Sequence, residues 1–328
     1  MRSIPSILGA AVLTVIVLAA FMMRAPEPPP ADSSARMATA AEAYMGTLGS
    51  AERDRGTWAL DAEQRFDWHF VPWERYGVRL KDMNPEQRTV AHGLLQSALS
   101  SQGYLKATGV MQLEGILGQI EDRPDRRDPE DYYFNVFGTP SESGAWAWRF
   151  EGHHISMNVS AAVDAPPSVT PAFLGSNPHL VGEGPNAGRR LLGAEEDLAR
   201  DLMALLTDAQ LQRVIIEAEA PRDIVTGNAR IVELDEFEGL PVSEMNDEQR
   251  QALMHVIEEY LNNAVADIAD AEMDRIHEAG LENLHFAWAG STERGVMRLE
   301  RLGIGLSDLI GPAAVVLDDL VDDFGHDV

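Results

Sequence analysis

Between Arg149 and His154 the chain carries a guanidinium, a carboxylate and two imidazoles, in the run Trp146-Ala-Trp-Arg-Phe-Glu-Gly-His-His-Ile-Ser-Met-Asn-Val159. Glu151, His153 and His154 are oxygen and nitrogen donors of the kind that hold a divalent ion such as Zn²⁺ or Fe²⁺. His285, which opens a later apolar stretch, is a candidate third imidazole. A metal-activated water would give a hydrolytic nucleophile without a thiol or an organic cofactor. In that chemistry Glu151 is the catalytic carboxylate, and Arg149 orients it or grips an anionic substrate through its forked donors. The competing reading is plainer: Arg149 pairs with Glu151, one histidine packs in the core and the other is solvated.

Strand alternation puts Trp146, Trp148 and Phe150 on one face, and Arg149, Glu151 and His153 on the other. Past Gly152 the phase inverts, with Ile155, Met157 and Val159 apolar. A single strand with one buried face cannot change phase, so a turn or β-bulge is expected at Gly152. Adjacent histidines on a strand point to opposite faces, and only such a kink lets both reach one ion. The Trp146/Trp148 pair reads as core, with ligand stacking as the alternative.

Periodicity and capping signals place helices at 38–48, 85–101, 105–120, 195–206, 208–216, 247–263 and 264–279. Strands are expected at 132–137, 146–151, 154–163 and 284–289, and the Gly/Pro-rich run 166–188 as loop or short edge strand. Helices flanking a small, mostly antiparallel central sheet make an α+β fold. Met83-Asn-Pro-Glu-Gln-Arg88 recurs as Met245-Asn-Asp-Glu-Gln-Arg250, with Thr207-Asp-Ala-Gln210 as a looser third instance. Reused capping boxes explain this, and duplication of two halves is the alternative.

Phe137-Gly-Thr-Pro-Ser141, Trp148-Arg-Phe-Glu-Gly-His-His154 and Thr170-Pro-Ala-Phe-Leu-Gly-Ser-Asn-Pro178 resemble the bacterial and fungal family called domain of unknown function 3500. The resemblance runs from about Trp68 to about Gly290 and implies one tightly knit domain of mixed helices and strands, without an established activity. It also implies a later His-x-His element and a Trp-Arg-Asp, neither of which this chain contains after Val296. The tail 296–328 therefore reads as atypical, as a frameshifted or truncated frame would leave it.

Arg2 precedes an apolar run, Ile7–Met23, and a Pro-rich stretch follows. Residues 1–23 read as a signal peptide or a membrane anchor, residues 24–37 as a linker and 38–295 as one domain. The protein is expected to be exported, to the periplasm or outside the cell, tethered to the membrane through that segment if it is not cleaved. The absence of cysteine rules out disulfides, thiolate metal sites and cysteine lipidation. A formal net charge of −27 argues against nucleic-acid partners. Arginine supplies nearly all the positive charge, as Lys81 and Lys106 are the only lysines. High salt or an Arg-rich genome would each produce that pattern.

Among the other histidines, His69 and His92 read as packing, His255 and His277 as solvated, and His179 as part of a loop able to cover the centre. Ser141 reads as a turn residue, not a nucleophile. Three functions stay open: a metal-dependent hydrolase, an envelope protein binding a small ligand between the Trp-bearing sheet and its helices, and a purely structural envelope protein.

Overall fold

The computed structural model describes residues 32–163, 165–221, 228–229 and 237–293, with backbone strands at 302–305 and 314–316. Its first stretch runs α1 (Ser33–Thr47), α2 (Ser50–Gly56), β1 (Thr57–Trp58), β2 (Val78–Arg79), α3 (Pro85–Ala98), α4 (Ser101–Ile120) and β3 (Tyr132–Phe137). Four strands follow: β4 (Trp146–Gly152), β5 (Ile155–Ala162), β6 (Ala165–Ser168) and β7 (Ala172–Ser176). Then come α5 (Gly193–Ala204), α6 (Asp208–Val214), β8 (Ile215–Glu217), β9 (Leu240–Pro241), α7 (Asp247–Leu261), α8 (Ala266–Ala279) and β10 (His285–Ala289). Two short strands, β11 (Leu302–Gly305) and β12 (Ala314–Val316), complete the set.

The first and third of these stretches are the same frame built twice. β1 lies parallel to β3 and β2 antiparallel to it, with Val78 opposite Phe134. β8 and β9 take the same places on β10, with Leu240 opposite Phe286. A 3₁₀ turn joins β2 to α3 and another joins β9 to α7. Asn84 with Gln87 and Asn246 with Gln249 then close reciprocal capping boxes. Each glutamine also reaches the end of the first helix of its copy, Gln87 Nε2 donating to the Thr47 carbonyl (3.2 Å) and Gln249 Nε2 to that of Leu205 (2.8 Å).

Gly77 and Gly239 enter the two short strands with φ of +114° and +99°, and a Cβ would stand 2.8 and 2.4 Å from the carbonyl oxygens of Phe134 and Phe286. Only glycine fits either position. Capping alone does not produce matched strand pairing, so the repeated hexapeptide marks a duplication and corrects the capping-only explanation. The copies meet at their helix junctions, where Leu99 bridges Ala264, Ser100 N–H donates to the Asn263 carbonyl and Val265 N–H to that of Ala98.

One sheet runs β1–β3–β4–β5–β7–β11, with β2 on β3 and β6 on β5; the other runs β12–β10–β8, with β9 on β10. This is the expected α+β class, although with two sheets. The copies keep separate cores, one around Tyr44, Leu94, Phe134, Trp148 and Met157, the other around Leu202, Leu253, Ile257, Phe286 and Trp288. Residues from Ala31 onward nevertheless cluster as one compact unit.

Two boundaries shift. The helix expected from Ala38 begins at Ser33, where Asp32 accepts from Ser34 N–H (2.9 Å), and Met37 is fully buried. Within the run read as loop or edge strand, β7 lies inside the sheet, between β5 and β11. The expected signal or anchor at 1–23, the linker up to 31 and most of the tail 296–328 lie outside the described residues. Among the described residues no helix is long and apolar enough to cross a membrane.

Candidate functional site

The inverted alternation is resolved by a two-residue turn. Phe150 faces Met157, Trp148 faces Val159 and Gly152 faces Ile155, so His153 and His154 alone connect β4 to β5. Gly152 itself is regular strand. Its missing side chain makes room for the Tyr132 ring, which a Cβ would approach to 2.2 Å. The unusual backbone belongs to His154, at φ +60°, a conformation that costs a non-glycine residue about 1 kcal/mol or more. His154 is pinned there: its N–H donates to the Phe70 carbonyl and its carbonyl accepts from Gly175 N–H, both at 2.8 Å. Its ring lies 3.8 Å, centroid to centroid, from that of His153.

The apolar side of β4 and β5 faces the first core. The other side is polar and closed over by residues 57–76. Arg149 donates from Nε to Glu151 Oε1 (2.8 Å) and from Nη1 to the Arg65 carbonyl (3.1 Å). Glu151 Oε2 accepts from His69 N–H (3.1 Å), and Arg75 Nε stands 3.9 Å away. Arg75 also donates to the carbonyls of Val71, Trp73 and Gly152. Phe70 stacks on Phe173 at 4.1 Å.

Arg149 and Glu151 are 0% and 1% exposed, so the pair fastens a covering segment and does not face an open surface. Burial raises the Glu151 carboxyl, against the pull of Arg149, Arg75 and the His69 N–H. The catalytic roles expected for Glu151 and Arg149 find no accessible face here. The plainer pairing is what the structure holds.

His153 turns the other way, toward α4. Its Nδ1 lies 2.5 Å from Glu114 Oε2 and 3.2 Å from Arg127 Nη1. Arg127 also grips Glu121 with two donors, at 2.8 and 2.9 Å. The Tyr132 hydroxyl donates to the His153 carbonyl (3.1 Å). Burial pushes the Glu114 carboxyl up to about 7, against the charge of Arg127. Nδ1 is placed to donate to the Glu114 carboxylate or to accept from its protonated form.

His285, the candidate third imidazole, sits on β10 of the other sheet, with Nδ1 3.1 Å from the Asn283 carbonyl and its ring stacked on Phe237. It occupies the place of Tyr133 in the first copy. Among the described residues no three His, Cys, Asp or Glu side chains converge on a point that could hold a metal. The expected set of His153, His154 and His285 with Glu151 is therefore not assembled. His153 engages a helix, Glu151 is consumed by arginine, and His285 belongs to the other copy.

Glu114 is the residue that sequence reasoning missed. Its signal was present: on α4 it shares the buried face with Val110, Met111, Leu117 and Gly118. A carboxylate at an i+3/i+4 position of an apolar stripe is rarely buried without a partner.

The chain belongs to the family described as protein of unknown function (DUF3500), which matches residues 31–298. The match begins well before Trp68 and takes in α1. No curated protein and no solved structure matches the chain.

Proposed function

We propose that the protein is an exported or membrane-tethered hydrolase that handles protons through Glu114 and His153 and acts on a small molecule. One observation carries this reading: a buried carboxyl raised to about 7 lies 2.5 Å from an imidazole. A carboxyl that titrates near neutral pH beside an imidazole is suited to general acid–base work. The turn that bears the imidazole is held in a strained conformation by Phe70 and Gly175, as functional turns often are. Arg127 and Tyr132 fix the geometry. The metal-assisted form of the chemistry is not carried forward, because its donors point to different parts of the molecule. Export rests on the apolar run Ile7–Met23 and the Pro-rich segment after it.

The full-length chain should be screened against small carboxylic esters, amides, phosphate esters and glycosides, beside Glu114→Gln and His153→Gln variants. The reading expects turnover of one class with a pH limb near 7, and a loss of about 10²-fold or more in each folded variant. Turnover unchanged in both variants would overturn it.

A further inference from the structure

A second site lies where the two copies of the frame meet. A cavity of about 20 Å³ sits between β5, β7, α5 and α7, walled by apolar side chains such as Met157, Leu174 and Leu192, with Tyr260 and Glu195 among its polar edges. That volume admits one molecule little larger than water.

Glu195 is the unusual wall residue. Its Oε1 takes Lys106 Nζ at 2.7 Å, and the same ammonium reaches Glu259 Oε1 at 2.6 Å. Glu195 Oε2 has no hydrogen-bond partner among the described residues, although the side chain is only 2% exposed. One lysine faces two glutamates here, buried Glu195 and partly exposed Glu259. An uncompensated carboxylate oxygen in an apolar cavity calls for a donor, preferably a charged one. Burial raises the Glu195 carboxyl, opposed by Lys106 and by the residue's own backbone N–H, while Glu259 adds a smaller upward push.

We propose that this cavity binds a small primary ammonium ion of about the size of methylammonium, its nitrogen donating to Glu195 Oε2 and its carbon resting on the apolar wall. A bare metal cation would need several oxygen ligands, and these walls are mostly hydrocarbon. The volume excludes anything with a long chain. The site is separate from Glu114 and His153 and does not depend on their chemistry.

The test uses the full chain with methylammonium chloride as probe, and with sodium chloride at equal ionic strength and methanol as controls. Binding is read from the thermal midpoint and from the NMR linewidth of ¹³C-labelled probe. The expected result is a saturable rise with methylammonium, at least tenfold weaker binding in Glu195→Gln, and none in Ala172→Leu, which fills the cavity without altering a charge. The amide oxygen in Glu195→Gln can still accept from Lys106, so that variant should keep its fold. Equal effects of methanol or sodium chloride, or full binding by folded Ala172→Leu, would overturn the proposal.

Discussion

The two copies of the frame share their strand pairing, capping boxes and required glycines but place their buried charges differently: Arg149–Glu151 and Glu114–His153 in the first, Glu196–Arg200 on α5 in the second. In the first copy β3 is followed by β4, which sets Glu151 opposite Tyr133 and Arg149 opposite Asn135. In the second, β12 takes the matching place on β10, with Val316 opposite His285 and Ala314 opposite Ala287. The helices differ in the same sense. Glu114 is the fourteenth residue of α4 counted from Ser101, and the fourteenth of α8 counted from Ala266 is Ala279. The frame therefore requires neither the buried ion pair nor the Glu114–His153 contact. The ion pair fastens the covering segment of the first copy, and the Glu114–His153 contact joins its β4–β5 turn to α4.

The largest expected effect is at the fastening pair. Glu151→Ala leaves the buried Arg149 and Arg75 without their carboxylate and should lower unfolding stability by about 3–5 kcal/mol in urea titration. A loss below about 1 kcal/mol would mean that the cover over residues 149–158 is held by its other contacts.

Next is the pH dependence of Glu114. Its folded-state value, about 7, lies above the ordinary 4.5, so the folded protein binds the proton more tightly than the unfolded chain does. Stability from this group is then greatest below about pH 4.5 and falls as pH rises through 7, by up to about 3 kcal/mol. Glu114→Gln should flatten that slope between pH 5 and 7.5 (the order of magnitude follows from linkage). An unchanged slope would place the titration elsewhere.

The duplication is sharpened by paired substitutions. Gly77→Ala and Gly239→Ala should each cost more than about 1 kcal/mol, because each forces a Cβ onto a carbonyl at positive φ. Gln87→Ala and Gln249→Ala should each cost about 1 kcal/mol through lost caps and the bonds to Thr47 and Leu205. Costs that differ severalfold within a pair would show that the two copies no longer depend on these contacts alike.

Much of the fold was readable before the structure. β3 falls at 132–137 as its alternation indicates, and the phase change around Gly152 correctly announced a turn. The site was half legible. Residue types flagged Arg149, Glu151, His153 and His154, but their partners lie far off in sequence, at Arg75, Arg65 and Glu114. Local alternation puts Glu151 and His153 on one side of a strand. It does not say that one is sealed beneath residues 57–76 while the other, past the end of the strand, turns to a helix. The duplication is faint in the sequence because the capping hexapeptide is what survives of it there, and the rest of the likeness lies in strand pairing.

The most direct test of the acid–base centre is a ¹³C NMR titration of the glutamate side-chain carboxyls in the folded protein. The account predicts one carboxyl with a midpoint near 7, absent from the spectrum of Glu114→Gln. Every glutamate titrating below about 5.5 (the ordinary carboxylate range) would contradict it.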